Sequence, residues 1–282
     1  MNRETGTVGV STVGPMRQLG TCDVACDMDC DAACHWSHYP RWKRQHQPED
    51  CPSTREHPGQ SHAPYWTDGR VTIFQGDACA VLDDLATSAE RFDLGFADPP
   101  YNYGVAYDGY SDDLPADEYE ASTREWYRRL CDISTATIVT PGHGNLPLWF
   151  GIRKPSGIGC WYKPGGTGSS HLGWCEWEPW LYWGPRLGGA DTIKATLNPT
   201  FKSDVGHPCP KPVELLKGLL VKTKASSVVD PFMGSGTTLV AAKALGLRAV
   251  GIEQSERYCE LAATRLAQGV LDLEPLSWGD AS

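Results

Sequence analysis

Long apolar runs are missing from this chain. No segment approaches the ~18 consecutive apolar residues of a membrane-spanning helix, so a helical membrane protein is not expected. Positive charge is also scarce: 25 Lys and Arg face 35 Asp and Glu, a net charge of -10. Polyanions bind through counterion release to Lys and Arg, so this balance excludes an indiscriminate nucleic-acid coat and requires any DNA-handling surface to concentrate its cations locally. No export signal and no internal repeat are visible. The eleven cysteines therefore read as reduced thiols, and the cytoplasm of a bacterial cell or phage-infected host is the expected compartment. What is present is ordinary for one sizeable core: 282 residues, 40% hydrophobic and 21% charged, which fits one catalytic domain with appendages.

Residues 1–64 are poor in aliphatics and rich in Gly, Pro, His and Cys, and are expected to be a disordered or locally helical extension. Cys22, Cys26, Cys30 and Cys34 recur every fourth position, followed by His35, His38, His46, Cys51 and His57. On a helix those thiols form a stripe that runs along one face, whereas structural zinc sites pair ligands around one ion, so no metal is assigned. Residues 65–270 carry the catalytic domain and 271–282 a tail.

Within the domain, hydrophobic periodicity alternates between strand and helix. Strands are expected at 71–75, 92–97, 136–140, 157–163, 179–183, 227–230 and 248–253, and helices at 78–86, 117–134, 207–223, 237–245 and 256–268. The stretch 142–205 breaks the rhythm with Gly, Pro and a crowd of tryptophans, Trp161, Trp174, Trp177, Trp180 and Trp183 among them, beside Lys154, Lys163, Arg186, Lys194 and Lys202. Aromatics interleaved with cations suit a recognition surface for nucleic acid, and they suit equally a small core built around loops.

Two motifs carry chemistry. Asp98-Pro99-Pro100-Tyr101 closes a buried strand and offers a carboxylate, proline carbonyls without competing N–H groups, and an aromatic face, which is what a planar aminopurine or aminopyrimidine requires. Asp230-Pro231-Phe232-Met233-Gly234-Ser235-Gly236-Thr237-Thr238 is a strand end, a glycine turn and a helix start, the shape that cradles a nucleoside cofactor. Glu253 ends the next strand 23 residues after Asp230, close to the spacing of about 20 at which nucleotide folds place a ribose-binding acid. The third glycine of a dinucleotide fingerprint and the Lys of a phosphate-binding loop are both absent, which favours S-adenosyl-L-methionine.

With Gln75-Gly76-Asp77, the His207-Pro208-Cys209-Pro210-Lys211-Pro212 run, and Gly251-Ile252-Glu253 followed by Tyr258, Ala262 and Arg265, these motifs resemble the amino-methylating DNA methyltransferases that make N6-methyladenine or N4-methylcytosine. The order, with the Asp-Pro-Pro-Tyr motif ahead of the cofactor loop, resembles their permuted beta type over roughly residues 70–268. The resemblance implies an α/β, Rossmann-like methyltransferase fold with a mostly parallel seven-stranded sheet flanked by helices. It also implies catalytic roles for Asp98, Pro99, Pro100 and Tyr101, and cofactor contacts from Asp77, Asp230, Phe232, Gly234, Gly236, Thr237, Glu253, His207 and Lys211. Cys209-Pro210 departs from the family, which commonly has a hydroxyl residue and a Gln or Glu there.

The implied reaction is direct displacement. Asp98 and the Pro99 carbonyl accept the amine protons, Tyr101 stacks on the base, and the base leaves double-stranded DNA to enter the pocket. Asp at the first motif position favours adenine N6, with cytosine N4 as the alternative. A protein or RNA amine methyltransferase is disfavoured by motif order, and an idle DNA-binding protein by the intact motifs. A homodimer and a cognate restriction enzyme are candidate partners, a membrane is not, and the target sequence is not legible.

Overall fold

Four parallel strands that each deliver an acidic residue to the same edge form the middle of the sheet in the computed structural model, which describes residues 62–107, 110–166, 168–170, 172–196 and 211–268. Most of the expected 1–64 extension, the tail, His207 and Cys209 lie outside the described residues.

In chain order the strands are β1 (Trp66–Thr67), β2 (Val71–Gln75), β3 (Phe92–Ala97), β4 (Ala106–Tyr107), β5 (Tyr110–Ser111), β6 (Ser134–Val139), β7 (Gly157–Tyr162), β8 (Gly168–Ser170), β9 (Gly173–Cys175), β10 (Trp177–Trp183), β11 (Thr192–Lys194), β12 (Ser227–Asp230) and β13 (Arg248–Glu253). The helices are α1 (Ala78–Thr87), α2 (Ala116–Asp132), α3 (Leu146–Ile152), α4 (Val213–Thr223), α5 (Thr237–Ala244) and α6 (Glu256–Ala267). The main sheet runs β1-β2-β13-β12-β3-β6-β10-β7-β11. The expected seven strands are its inner members, but among the described residues the sheet has nine: the edges β1 and β11 are two and three residues long, too short to show a period of two.

The sheet is mixed. From β2 through β13, β12 and β3 to β6 all pairs are parallel, whereas β10 is antiparallel to both β6 and β7. The late strands β12 and β13 slot between the early β2 and β3, which is how a permuted motif order is realised in space. Parallel strands covered on both faces read as continuous apolar runs, and β12 is buried throughout.

Apolar residues fill two layers, one on each side of the sheet. One is built on Ile73, Leu94, Phe96, Leu215, Leu219, Val228 and Leu239. The other packs α1, α2 and α3 through Leu82, Trp126, Leu130 and Trp149 against Phe92, Val139 and Ile252. Helix α2 is amphipathic, with Tyr119, Trp126, Tyr127 and Leu130 buried. It ends at Asp132 rather than Ser134, because Phe92 N–H donates to the Ile133 carbonyl and the chain turns straight into β6. Helix α3 was not expected, since Pro147 and Gly151 within seven residues mask its periodicity, yet Pro147 sits in the first turn where its missing N–H costs nothing. Among the described residues no helix is long and apolar enough to cross a membrane.

Candidate functional site

Parallel strands carry their loops at their carboxyl ends, and a ligand crevice opens there where connections diverge. In sheet order, β2 is followed by Asp77, β13 ends at Glu253, β12 ends at Asp230, and β3 is followed by Asp98. These four carboxylates line a single cavity of about 320 Å³ together with Pro99, Pro100, Tyr101, Lys211, Phe232, Gly234 and Thr237. Two loops more than a hundred residues apart in sequence thus open onto one space because β3 and β12 are neighbours.

At the Asp98 end, Oδ1 accepts hydrogen bonds from the Tyr101 hydroxyl at 2.8 Å and from the Thr140 hydroxyl at the end of β6, and it pairs with the Lys211 Nζ at 2.8 Å. Among the described residues every polar contact to Asp98 falls on this oxygen. Lys211 also donates to the Tyr101 hydroxyl at 3.1 Å and lies 5.4 Å from the Tyr101 ring centroid. Burial pushes the Lys211 pKa down, but the charges of Asp98 and Glu178 outweigh it and hold it well above the usual lysine range. Burial first, and the Asp98 charge second, push Tyr101 up, so it stays a neutral phenol.

The loop after the motif is held from below. Tyr119 of α2 donates to the Pro100 carbonyl at 2.9 Å, and Asn145 Nδ2 donates to the Tyr101 carbonyl at 3.0 Å. Pro100 O is therefore occupied, and of the two proline carbonyls only that of Pro99 has no hydrogen-bond donor among the described residues. Buried Asp112 accepts from the backbone N–H groups of Asn102 (2.7 Å), Tyr103 (3.1 Å) and Val105 (3.1 Å), which fixes the turn in which Asn102 has φ +59°.

At the Asp230 end the turn is built around carboxylates. Asp230 is 1% exposed, and its Oδ1 accepts from Phe232 N–H at 3.0 Å. Burial raises its pKa to about 7 against the hydrogen bonds of Thr238 and Phe232, with Asp98 and Glu253 adding repulsion. Glu253 accepts from Gly234 N–H at 3.1 Å through Oε2 and from Ser255 N–H at 2.8 Å through Oε1. Asp77 caps α1 by accepting from Ala80 N–H at 3.0 Å. Helix α5 starts after its N-cap Gly236, and among the described residues no side chain caps its positive end.

Two expected placements change. Gly236 does not line the cavity; it has φ +79°, and a Cβ there would come 2.7 Å from the Ala262 Cβ, so glycine is required for the turn to lie on α6. Lys211, expected at the cofactor end, sits on Asp98 and Tyr101 at the opposite end. Several side chains went unsingled in the sequence. Trp126, whose ring stands edge-on to Phe232 at 4.9 Å, lines the cavity but carries the same helical spacing as its core neighbours. Thr140 ends a strand as ordinary residues do. Glu178 carried a signal, a lone acid between Trp177 and Trp180 in an otherwise apolar strand.

This crevice, with acids at the ends of adjacent parallel strands and a glycine turn into α5, defines the class: a Rossmann-like methyltransferase fold. Solved structures agree on the fold. The M1.HpyAVI complex with SAM superposes with a TM-score of 0.56 at 18% identity, covering 70% of this chain and 98% of that one. The cytosine-N4-specific PvuII DNA methyltransferase gives 0.56 at 14% identity, covering 73% and 90%.

Sequence comparisons give similarities of the same kind. Residues 170–264 match the N6/N4 methyltransferase model described as DNA methylase. The chain is 27% identical over 244 residues to DNA adenine methyltransferase YhdJ of Escherichia coli (strain K12), covering 69% of this chain and 82% of that protein. It is 43% identical over 65 residues to the type II methyltransferase M2.LlaDCHI of Lactococcus lactis subsp. cremoris, 22% of this chain, and so spans about a quarter (24%) of that relative. With its permuted motif order, the chain is similar over these stretches to amino-methylating DNA methyltransferases.

Proposed function

We propose that the protein moves a methyl group from S-adenosyl-L-methionine to the N6 amine of adenine in double-stranded DNA. The observation that carries this reading is the shared cavity: the Asp98 carboxylate and the Asp230 turn face one space, so a methyl donor at one end meets a planar amine at the other. The residues fit a cationic nucleoside. Asp230 is a buried carboxylate poised near neutrality, which an ammonium would ionise; Glu253, an acceptor at the end of the adjacent strand, suits ribose hydroxyls; and the positive N-terminal end of α5 suits a carboxylate. When bound, the cofactor supplies an electrophilic methyl on a sulfonium.

An exocyclic amine is a weak nucleophile because its lone pair is delocalised into the ring. Asp98, with Oδ1 held by Tyr101, Thr140 and Lys211, keeps Oδ2 for one amine proton, and the Pro99 carbonyl accepts the other. The nitrogen then pyramidalises and aims its lone pair at the donor. After transfer the nitrogen passes one of its two protons along its hydrogen bond to Asp98 Oδ2 and out to water; before transfer the work of Asp98 is orientation and electrostatic stabilisation. Tyr101 offers its ring to an extruded base. The name of the YhdJ relative and the Asp at the first motif position support adenine over cytosine.

The test is incubation with labelled S-adenosyl-L-methionine and unmethylated DNA, followed by nucleoside analysis. Label in N6-methyladenine supports the reading; label in N4-methylcytosine keeps the chemistry and changes the base; unlabelled DNA overturns it.

A further inference from the structure

Behind Asp98 lies a chain of alternating charges that reaches out of the catalytic loops into the Trp-rich segment. Lys211 Nζ, 2.8 Å from Asp98 Oδ1, is 3.6 Å from Glu178 Oε2 on β10. Glu178 Oε1 in turn accepts from Lys163, just past the end of β7. Both ammonium groups share one aromatic wall, the 3%-exposed Trp161 ring, at 5.2 Å from its centroid for Lys163 and 5.9 Å for Lys211. Trp161 is itself fixed by donating to the Ala195 carbonyl at 2.9 Å.

Resting on the methyl-transfer reading above, we propose that Glu178 is a positioning residue for the reaction: it holds the Lys211 ammonium against Asp98 Oδ1 and so leaves Oδ2 aimed at the target amine. The electrostatic argument is local. Lys211 and Lys163 have side chains only 10% and 9% exposed, so little water screens their repulsion. Glu178 lies between them as the intervening anion. Its Oε2 is buried and makes no hydrogen bond among the described residues, so it acts on Lys211 by charge across 3.6 Å rather than by a directed bond. Without that charge, nothing would offset the repulsion between the Lys163 and Lys211 ammonium groups, and Lys211 would lose the counter-charge on its far side. Its ammonium would then be free to shift across Asp98 and cover the oxygen the substrate needs. The segment 142–205 therefore contributes to the reacting end of the site as well as to any DNA surface.

The experiment is a double-mutant cycle in the full chain, comparing wild type, Glu178→Gln, Lys211→Met and the double variant. Each is assayed for kcat and KM on unmethylated DNA and for S-adenosyl-L-methionine Kd without DNA. Glu178→Gln should lower kcat about tenfold with cofactor Kd unchanged within about twofold, and the same substitution should have almost no effect in the Lys211→Met background. An equal loss in both backgrounds, or unchanged kcat in Glu178→Gln, overturns the proposal. Should Glu178→Gln fail to fold, Glu178→Met removes the charge at similar volume and carries the same cycle. An inactive wild type overturns the methyl-transfer reading and this role with it. An active wild type with uncoupled variants overturns only the role of Glu178.

Discussion

Asp98 and Asp230 are two carboxylates at the ends of adjacent strands with opposite surroundings, and the contrast predicts different losses. Asp98 accepts hydrogen bonds from two hydroxyls and pairs with an ammonium, so its replacement removes the orientation of the amine but not the cofactor turn. Asp98→Ala should lower kcat by at least about a thousandfold while S-adenosyl-L-methionine Kd, read by calorimetry, stays within a few fold. Asp230 predicts a pH effect. Its folded pKa of about 7 lies above the ordinary 3.8, so the folded state binds a proton that the unfolded chain has released between those values. Stability is therefore lost as pH rises from about 4 to 7, by about 1.4 kcal/mol per pH unit and on the order of 4 kcal/mol in all. Asp230→Asn should raise the Tm of the cofactor-free protein at pH 8, with the gain vanishing near pH 4; an equal effect at both would remove this account. An ammonium partner reverses the preference, so wild-type cofactor affinity should fall as pH drops below about 7.

At the scale of elements, the turn between β12 and α5 depends on backbone approaches that only glycine permits. A Cβ on Gly251 of β13 would meet Met233 Sδ at 2.5 Å and Leu239 Cδ1 at 2.7 Å, so the strand lies flush under the cofactor turn. Gly251→Ala should destabilise by about 1–3 kcal/mol, as overpacking commonly does, and should weaken cofactor binding through displacement of Met233 and its neighbour Gly234. Denaturant midpoints and calorimetry read the two effects, and an unchanged midpoint would show that the turn yields at no cost. These elements were legible beforehand because strongly apolar strands alternating with helices leave a plain period, as in 227–230 and 248–253. The edge strand β11 and helix α3 were not, because three residues show no period and Pro147 reads as a breaker. The site was legible to the same degree. Asp98, Asp230 and Glu253 announced themselves by lying at strand ends beside glycine or proline. Lys211 was visible but its partner was not, since a contact between residues 98 and 211 depends on the fold of everything between them.

At the scale of the molecule, all four acids, the motif loop and Lys211 belong to the compact unit Gln60–Ser282. Within that unit the parallel stretch from β2 to β6 buries its strands under helices on both faces, and its two apolar layers draw on residues from Val71 to Leu266. A domain of that size buries roughly 70% of the surface its unfolded chain exposes, enough to be stable without further segments. The Cys- and His-rich segment adds few aliphatic residues to such a core. A chain beginning at Gln60 should therefore unfold cooperatively, with a Tm within a few degrees of the full protein and an unchanged S-adenosyl-L-methionine Kd. DNA affinity is the informative variable. Residues 1–59 hold both charge signs in a protein of net charge -10, so any contribution to a polyanion surface would appear as a steeper salt dependence of DNA binding in the full chain than in the truncated one. Equal slopes with equal turnover would assign the whole of recognition to the sheet and its Trp-rich segment, whereas a truncated chain that fails to fold would make the first 59 residues part of the core.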